Sequence, residues 1–240
     1  MAQLQVPATL PPPPDAVVSA PVAVRRGRAA RMAGWIALAG FGALFGLVKT
    51  HRTDAIDLAV TLKLQHEGRQ PLLQALMRAV SWPGFPPQSH IIPAAVAGAL
   101  LLARLPLEAL FMIGGWGTAL VASVVKAVMR RPRPLAGVDL HVITAPLGGS
   151  SFPSGHTITY VGVYGFLAYL VHTLLRPVAP RRAIVGALIG LVALVGPSRV
   201  HQGHHWFTDV TASYLLGLAY LIGLTELYQR VKAARAGVRP

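Results

Sequence analysis

Three short stretches of the chain hold residues suited to handling an anion. In Lys126-Ala-Val-Met-Arg-Arg-Pro-Arg133-Pro134 two cations stand seven residues apart. At about 100° per residue they would return to nearly one helix face. Pro132 and Pro134 predict that the helix ends near Arg130 to Arg131 and that the chain swings Arg133 round. Ser151-Phe-Pro-Ser154-Gly155-His156 sets a hydroxyl and a backbone amide at a helix start, where an anion is favoured, with His156 in the first turn. In Ser198-Arg199-Val-His-Gln-Gly-His-His205-Trp-Phe-Thr-Asp209, His205 and Asp209 are four residues apart. On a helix that spacing lets a carboxylate accept the proton of one imidazole nitrogen while the other nitrogen attacks. Each stretch also has a plainer reading: a snorkelling basic cluster, an ordinary cap beside an interfacial histidine, and a carboxylate capping the last helix. The capping role of Asp209 does not exclude a catalytic one.

Taken together, Lys126, Arg133 and Arg199 supply three cations, beside two imidazoles and one carboxylate. A phosphate dianion needs charge neutralisation and in-line attack, and these groups provide both without Mg²⁺. His201, His204 and His205 also invite a metal reading, since imidazole binds zinc. No HExxH pattern or cysteine accompanies them and the nearby arginines repel a cation, so no metal is expected. His201 and His204 read as supporting or surface residues.

These residues must be positioned by elements that are strongly apolar. Of the 240 residues 53% are hydrophobic and 12% charged, with a mean hydropathy of +0.53, which points to a membrane protein. Six apolar stretches, at 33–48, 91–105, 107–129, 157–175, 183–196 and 210–227, are candidate spans. The second and fifth are short, so their ends are expected to extend into flanking residues. Between the first two spans, leucines at helical spacing predict an amphipathic pair of helices at the interface, broken near 68–71; a soluble hairpin packed on the bundle is the alternative. Residues 1–30 are Pro- and Ala-rich, lack the pattern of a secretory signal and read as a disordered, basic cytoplasmic tail. Residues 31–229 form the membrane domain and 230–240 a second basic tail. The net charge of +14 flanks the apolar runs instead of forming one stripe, so topology and an anionic substrate explain it better than nucleic acid. With cytoplasmic termini, 12 of the 22 Lys and Arg residues lie inside, and the three motifs face the exterior. The absence of cysteine excludes disulfides.

The pattern K-x6-RP, PSGH and SR-x5-H-x3-D resembles the type 2 phosphatidic acid phosphatase and lipid phosphate phosphatase superfamily, over residues 126–209 in detail and over most of the chain in layout. Of the two Arg-Pro pairs only Arg133-Pro134 stands at the family's distance from Lys126. The resemblance implies an all-α, polytopic bundle of six transmembrane helices with an interfacial helical segment between helices 1 and 2. It implies that Lys126, Arg133 and Arg199 bind phosphate oxygens, with Ser154 and Gly155 adding hydrogen bonds. His205 would be the nucleophile of a phosphohistidine intermediate, Asp209 would orient it, and His156 would protonate the leaving group and then activate water. No cofactor is implied. The expected partners are the bilayer of a cytoplasmic membrane and a lipid phosphate: phosphatidic acid, phosphatidylglycerol phosphate or undecaprenyl pyrophosphate. The signature is shared with vanadium-dependent haloperoxidases, which are soluble. A lipid phosphotransferase would use the same site, and a six-helix transporter would also place charges at span ends without needing these motifs.

Overall fold

The computed structural model describes residues 20–67, 70–135, 140–142 and 148–235. Its elements are α1 (Ala20–Lys49), α2 (Asp54–Glu67), α3 (Pro71–Ser81), α4 (Gln88–Leu102), α5 (Pro106–Gly115), α6 (Thr118–Met129), α7 (Gly155–Leu174), α8 (Val178–His201) and α9 (Phe207–Arg235). No strand occurs among the described residues. Among the described residues five helical segments are long and apolar enough to cross a membrane: α1, α5 with α6, α7, α8 and α9. A sixth crossing is formed if α3 and α4, bent by 61° at their junction, count as one broken span. Their outer faces carry Trp35, Ile36, Leu102 and Leu120 exposed, a surface suited to hydrocarbon. The protein is a multi-pass membrane protein.

α7 is the most enclosed helix, and around it pack α5, α6, α8 and α9, with α1 against α9. Phe111, Met112, Tyr160, Phe166 and Val195 fill the centre. In lipid, apolar side chains gain little by leaving the solvent, so close packing must hold helices together. α5 and α7 meet through Gly115 and Gly162. A Cβ on Gly162 would stand 2.3 Å from the Gly115 carbonyl oxygen, so no side chain fits the crossing.

Several boundaries differ from the sequence expectation for physical reasons. The second span is a helix of only 15 residues, because Arg104 takes a left-handed φ of 60° and Pro106 starts α5. α3, expected at the interface, completes its length where the bent pair of α3 and α4 counts as one span. The third span breaks at Trp116 and Gly117. The fifth runs to 24 residues. The break expected at 68–71 falls between α2 and α3. α2, however, buries a polar stripe: Thr53 just before it, then Asp57, Thr61 and Gln65, while Ile56 and Leu58 are exposed. Of the expected amino-terminal tail, residues 1–19 lie outside the described residues and residues from Ala20 onward are the first turns of α1. At the other end α9 continues to Arg235.

Candidate active site

All three motifs meet at one end of the bundle, where α6 and α8 end and α7 and α9 begin. α1 ends there too, with Lys49 Nζ donating to the Val128 carbonyl at 3.3 Å. α6 stops at Met129, and Arg130 caps it in the left-handed region at φ 52°. The following prolines hold the chain extended and carry Arg133 back over the helix end. Lys126 Nζ and Arg133 Nη2 consequently converge on one acceptor, the Ser150 carbonyl, at 2.6 and 3.4 Å. Arg133 Nη1 reaches the His204 carbonyl at 2.7 Å and His205 Nε2 at 3.2 Å. Burial lowers the Arg133 pKa from its ordinary value, an effect partly offset by Asp209.

His205 is 2% exposed. Its Nδ1 lies 2.7 Å from the Ser151 carbonyl oxygen, which can only accept, so Nδ1 carries the proton and Nε2 keeps its lone pair. Burial first, then Arg199, Arg133 and Lys126, hold its pKa well below the usual imidazole range, so the ring is neutral. Asp209 is farther from this ring than the spacing rule suggests, with Oδ2 3.6 Å from Nδ1. Its oxygens are engaged elsewhere. Oδ2 accepts from the Trp206 amide at 2.8 Å, as the third residue of a capping box does, and Oδ1 accepts from Arg131 Nη1 at 2.7 Å. Proton placement on His205 therefore rests first on a backbone carbonyl, with the Asp209 charge just behind it.

Ser154 caps α7, accepting from Thr157 Oγ1 at 3.0 Å, which leaves its own hydroxyl proton free to donate. A Cβ on Gly155 would meet nothing within 4 Å, so open space faces this first residue of α7. His156 follows, packed edge-on against Phe85 at 4.6 Å, and its buried Nε2 has no partner among the described residues. Arg199 is fully buried. Its Nη1 donates to Gln202 Oε1 at 3.1 Å and Ser81 Oγ at 3.3 Å, its Nη2 meets His204 Nδ1, and its guanidinium lies 4.9 Å over the Phe85 ring. The Nε atoms of Arg133 and Arg199 are buried without partners among the described residues, two further donors for an oxyanion. Among the described residues no three His, Asp or Glu side chains are placed to hold one ion.

Sequence reasoning missed two contributors and left the place of a third open. The junction of α3 and α4 presses on the site through Ser81 and Phe85. His204, read as a supporting or a surface residue, is buried against Arg199. Arg131, the arginine set aside on spacing, bridges two carboxylates: Asp57 Oδ2 at 2.6 Å and Asp209 Oδ1 at 2.7 Å. Burial opposes its charge, but those carboxylates outweigh it and raise the guanidinium pKa. Asp57 also accepts from the Thr208 amide at 2.8 Å and hydroxyl at 2.7 Å, tying α2 to the start of α9. The available signal was the four-residue spacing of Thr53, Asp57, Thr61 and Gln65.

Residues 105–233 match the PAP2 superfamily model. That is more than half of the chain. The chain belongs to the PAP2 superfamily. Phosphatidylglycerophosphatase B of Bacillus subtilis (strain 168) is 29% identical over 196 residues, spanning 80% of this chain and 93% of the relative. The crystal structure of a transmembrane PAP2 type phosphatidylglycerolphosphate phosphatase from Bacillus subtilis superposes with a TM-score of 0.72 at 25% identity, over 82% of this chain and 96% of that one. Aquifex aeolicus LpxE shares the fold, with a TM-score of 0.53 at 20% identity over 70% of this chain and 94% of that one. Membership and these relatives make the protein a PAP2 lipid phosphatase, a hydrolase of phosphate groups on membrane lipids.

Proposed function

We propose that this PAP2 protein cleaves a terminal phosphate from its lipid through a phosphohistidine on His205, without a metal ion. The observation that carries the reading is the His205 ring: buried, neutral, protonated on Nδ1 and presenting the Nε2 lone pair 3.2 Å from Arg133 Nη1. A phosphate oxygen taking over that arginine places phosphorus in front of Nε2. Lys126, Arg133, Arg199, the Ser154 hydroxyl and the Gly155 amide would share the equatorial charge. Nε2 forms a bond to phosphorus as the ester P–O bond breaks, and the departing oxygen takes a proton from His156 Nε2. A water then gives its proton to His156 as its oxygen bonds phosphorus, and the N–P bond breaks to release inorganic phosphate.

The substrate class is phosphatidic acid, phosphatidylglycerol phosphate or an isoprenyl pyrophosphate, and the Bacillus relative's name favours the second. We place the site at the external face of a cytoplasmic membrane with both termini inside, because Arg104, Arg176, Arg181, Arg182 and Arg230 gather at the opposite end of the spans.

The test is trapping by an alkaline detergent quench with a ³²P-labelled lipid phosphate in chelator-containing detergent. Wild type should accumulate an acid-labile, base-stable phosphoprotein and release phosphate; His205→Ala should do neither while remaining monodisperse. Label retained by His205→Ala, or turnover abolished by chelator, overturns the mechanism. Phosphate that appears only on an added alcohol would reassign the chain as a transferase.

A further inference from the structure

A cavity of about 240 Å³ opens beside the catalytic residues between α4, α6 and α7. Lys126 and His156 border one end, and Trp116 and Tyr164 line it farther along. Lys126 and Trp116 are ten residues apart in the third span. At about 1.5 Å rise per residue the cavity runs about 15 Å along the bundle, roughly half of a hydrocarbon core about 30 Å thick. It touches the residue assigned to protonate the leaving group, the position from which a leaving alcohol and the start of its hydrocarbon tail would extend.

Its walls are not uniformly apolar. Ser123 Oγ and Tyr160 OH are occupied by the backbone carbonyls of Ala119 and Val80, at 2.9 and 2.8 Å. Ser89 and His90, in the first turn of α4, also line the cavity. The His90 ring packs at 5.2 Å on Trp116, and the residue is otherwise exposed. No hydrogen bond among the described residues engages the Ser89 hydroxyl or the His90 ring nitrogens. The Trp116 contact sets His90 level with the middle of the third span, and polar groups at such a level mark a functional surface, because lipid tails give them nothing to bond.

We infer that Ser89 and His90 are specificity-determining residues that donate hydrogen bonds to the ester or hydroxyl oxygens of a glycerolipid leaving group. The inference rests on the hydrolase reading above and narrows it. A serine hydroxyl is a donor, and imidazole carries at least one N–H in either protonation state. A glycerolipid presents ester carbonyls and, in a phosphatidylglycerol-type headgroup, a hydroxyl along the length of its leaving group. An isoprenyl chain presents only hydrocarbon there and leaves both donors unmatched. Sites built to bond a substrate oxygen discriminate against analogues lacking it.

The test compares phosphatidylglycerol phosphate with an isoprenyl monophosphate, so that both leaving groups depart from one phosphate, at equal surface fraction in mixed micelles. Each lost hydrogen bond is expected to lower kcat/KM for the glycerolipid by about 2- to 10-fold, and the Ser89→Ala/His90→Leu pair by about 10-fold or more. The isoprenyl substrate should change by less than about 2-fold. His90→Gln, which keeps a donor, should recover part of the His90→Leu loss, and that pair of single variants decides the matter if the double variant misfolds. Equal losses on both substrates, or none on either, overturn the inference while wild-type phosphohistidine trapping leaves the hydrolase reading intact. A wild type that neither hydrolyses nor traps label overturns both.

Discussion

Replacing Asp57 with asparagine tests how far the catalytic end of the bundle depends on α2. The carboxylate is 1% exposed and accepts three hydrogen bonds, from Arg131 Nη2, Thr208 Oγ1 and the Thr208 amide, at 2.6, 2.7 and 2.8 Å. In Asp57→Asn one oxygen still serves the Thr208 amide, but the new NH₂ faces the Arg131 and Thr208 donors. Orphaning a buried charge outright costs about 3 to 5 kcal/mol. Arg131 retains Asp209, so the expected loss is smaller, about 2 to 3 kcal/mol, the scale of a charge-assisted hydrogen bond and its mismatch. Activity should fall as well. The Arg131 carbonyl accepts from the Ser151 amide at 2.8 Å, and the Ser151 carbonyl holds His205 Nδ1, so a loosened Arg131 lets the nucleophile drift. A kcat reduction of about tenfold, equal to about 1.4 kcal/mol of barrier, is expected with KM little changed. The assay is thermal unfolding and kinetics of Asp57→Asn, Arg131→Gln and the double variant in one detergent. Residues sharing a network should couple by about 1 kcal/mol or more. Additivity within about 0.5 kcal/mol, together with an unchanged kcat, would refute the argument that α2 positions the site through this pair.

Three further outcomes follow from particular contacts. Gly84→Ala would place a Cβ 2.2 Å from His156 Cδ2; displacing that ring by about 1 Å should cost roughly 100-fold in kcat, and wild-type kcat would show that His156 takes no part. Because the folded His205 pKa lies below its unfolded value of about 6.5, the neutral ring stabilises the fold above that pH, and stability should fall by up to about 1.4 kcal/mol per unit as pH drops from there. His205→Gln should flatten that slope in thermal melts between pH 7 and 5, and an unchanged slope would assign it to other groups. Ser154→Ala removes the α7 cap and should cost about 1 kcal/mol in the same melts, with Ser154→Thr restoring both stability and phosphate release; a fully active Ser154→Ala would remove its hydroxyl from the phosphate site.

Local pattern alone determined much of this protein. Runs of apolar residues mark the spans because a bilayer demands about 20 of them in a row, whatever they pack against. Pro132 and Pro134 end α6 wherever it sits, and a serine before Gly155 caps a helix from within the same turn. The seven-residue spacing of Lys126 and Arg133 likewise brings both to one carbonyl through a single helix end. Tertiary structure decided what depends on partners distant in the chain. Arg131 and Arg133 are chemically alike and two residues apart, and only the arrival of Asp57, 74 positions earlier, makes one a structural bridge and leaves the other beside His205. The polar stripe of α2 defeats a reading based on apolar periodicity, because Asp57 on its buried face is matched to donors on Thr208 and Arg131, and Gln65 to the backbone of His141 and His201, instead of to a hydrophobic core. The bend between α3 and α4 escapes such a reading for a related reason: Ser81 and Phe85 are stabilised there by Arg199, Ser198 and His156, side chains that reach them only after α7 and α8 have packed.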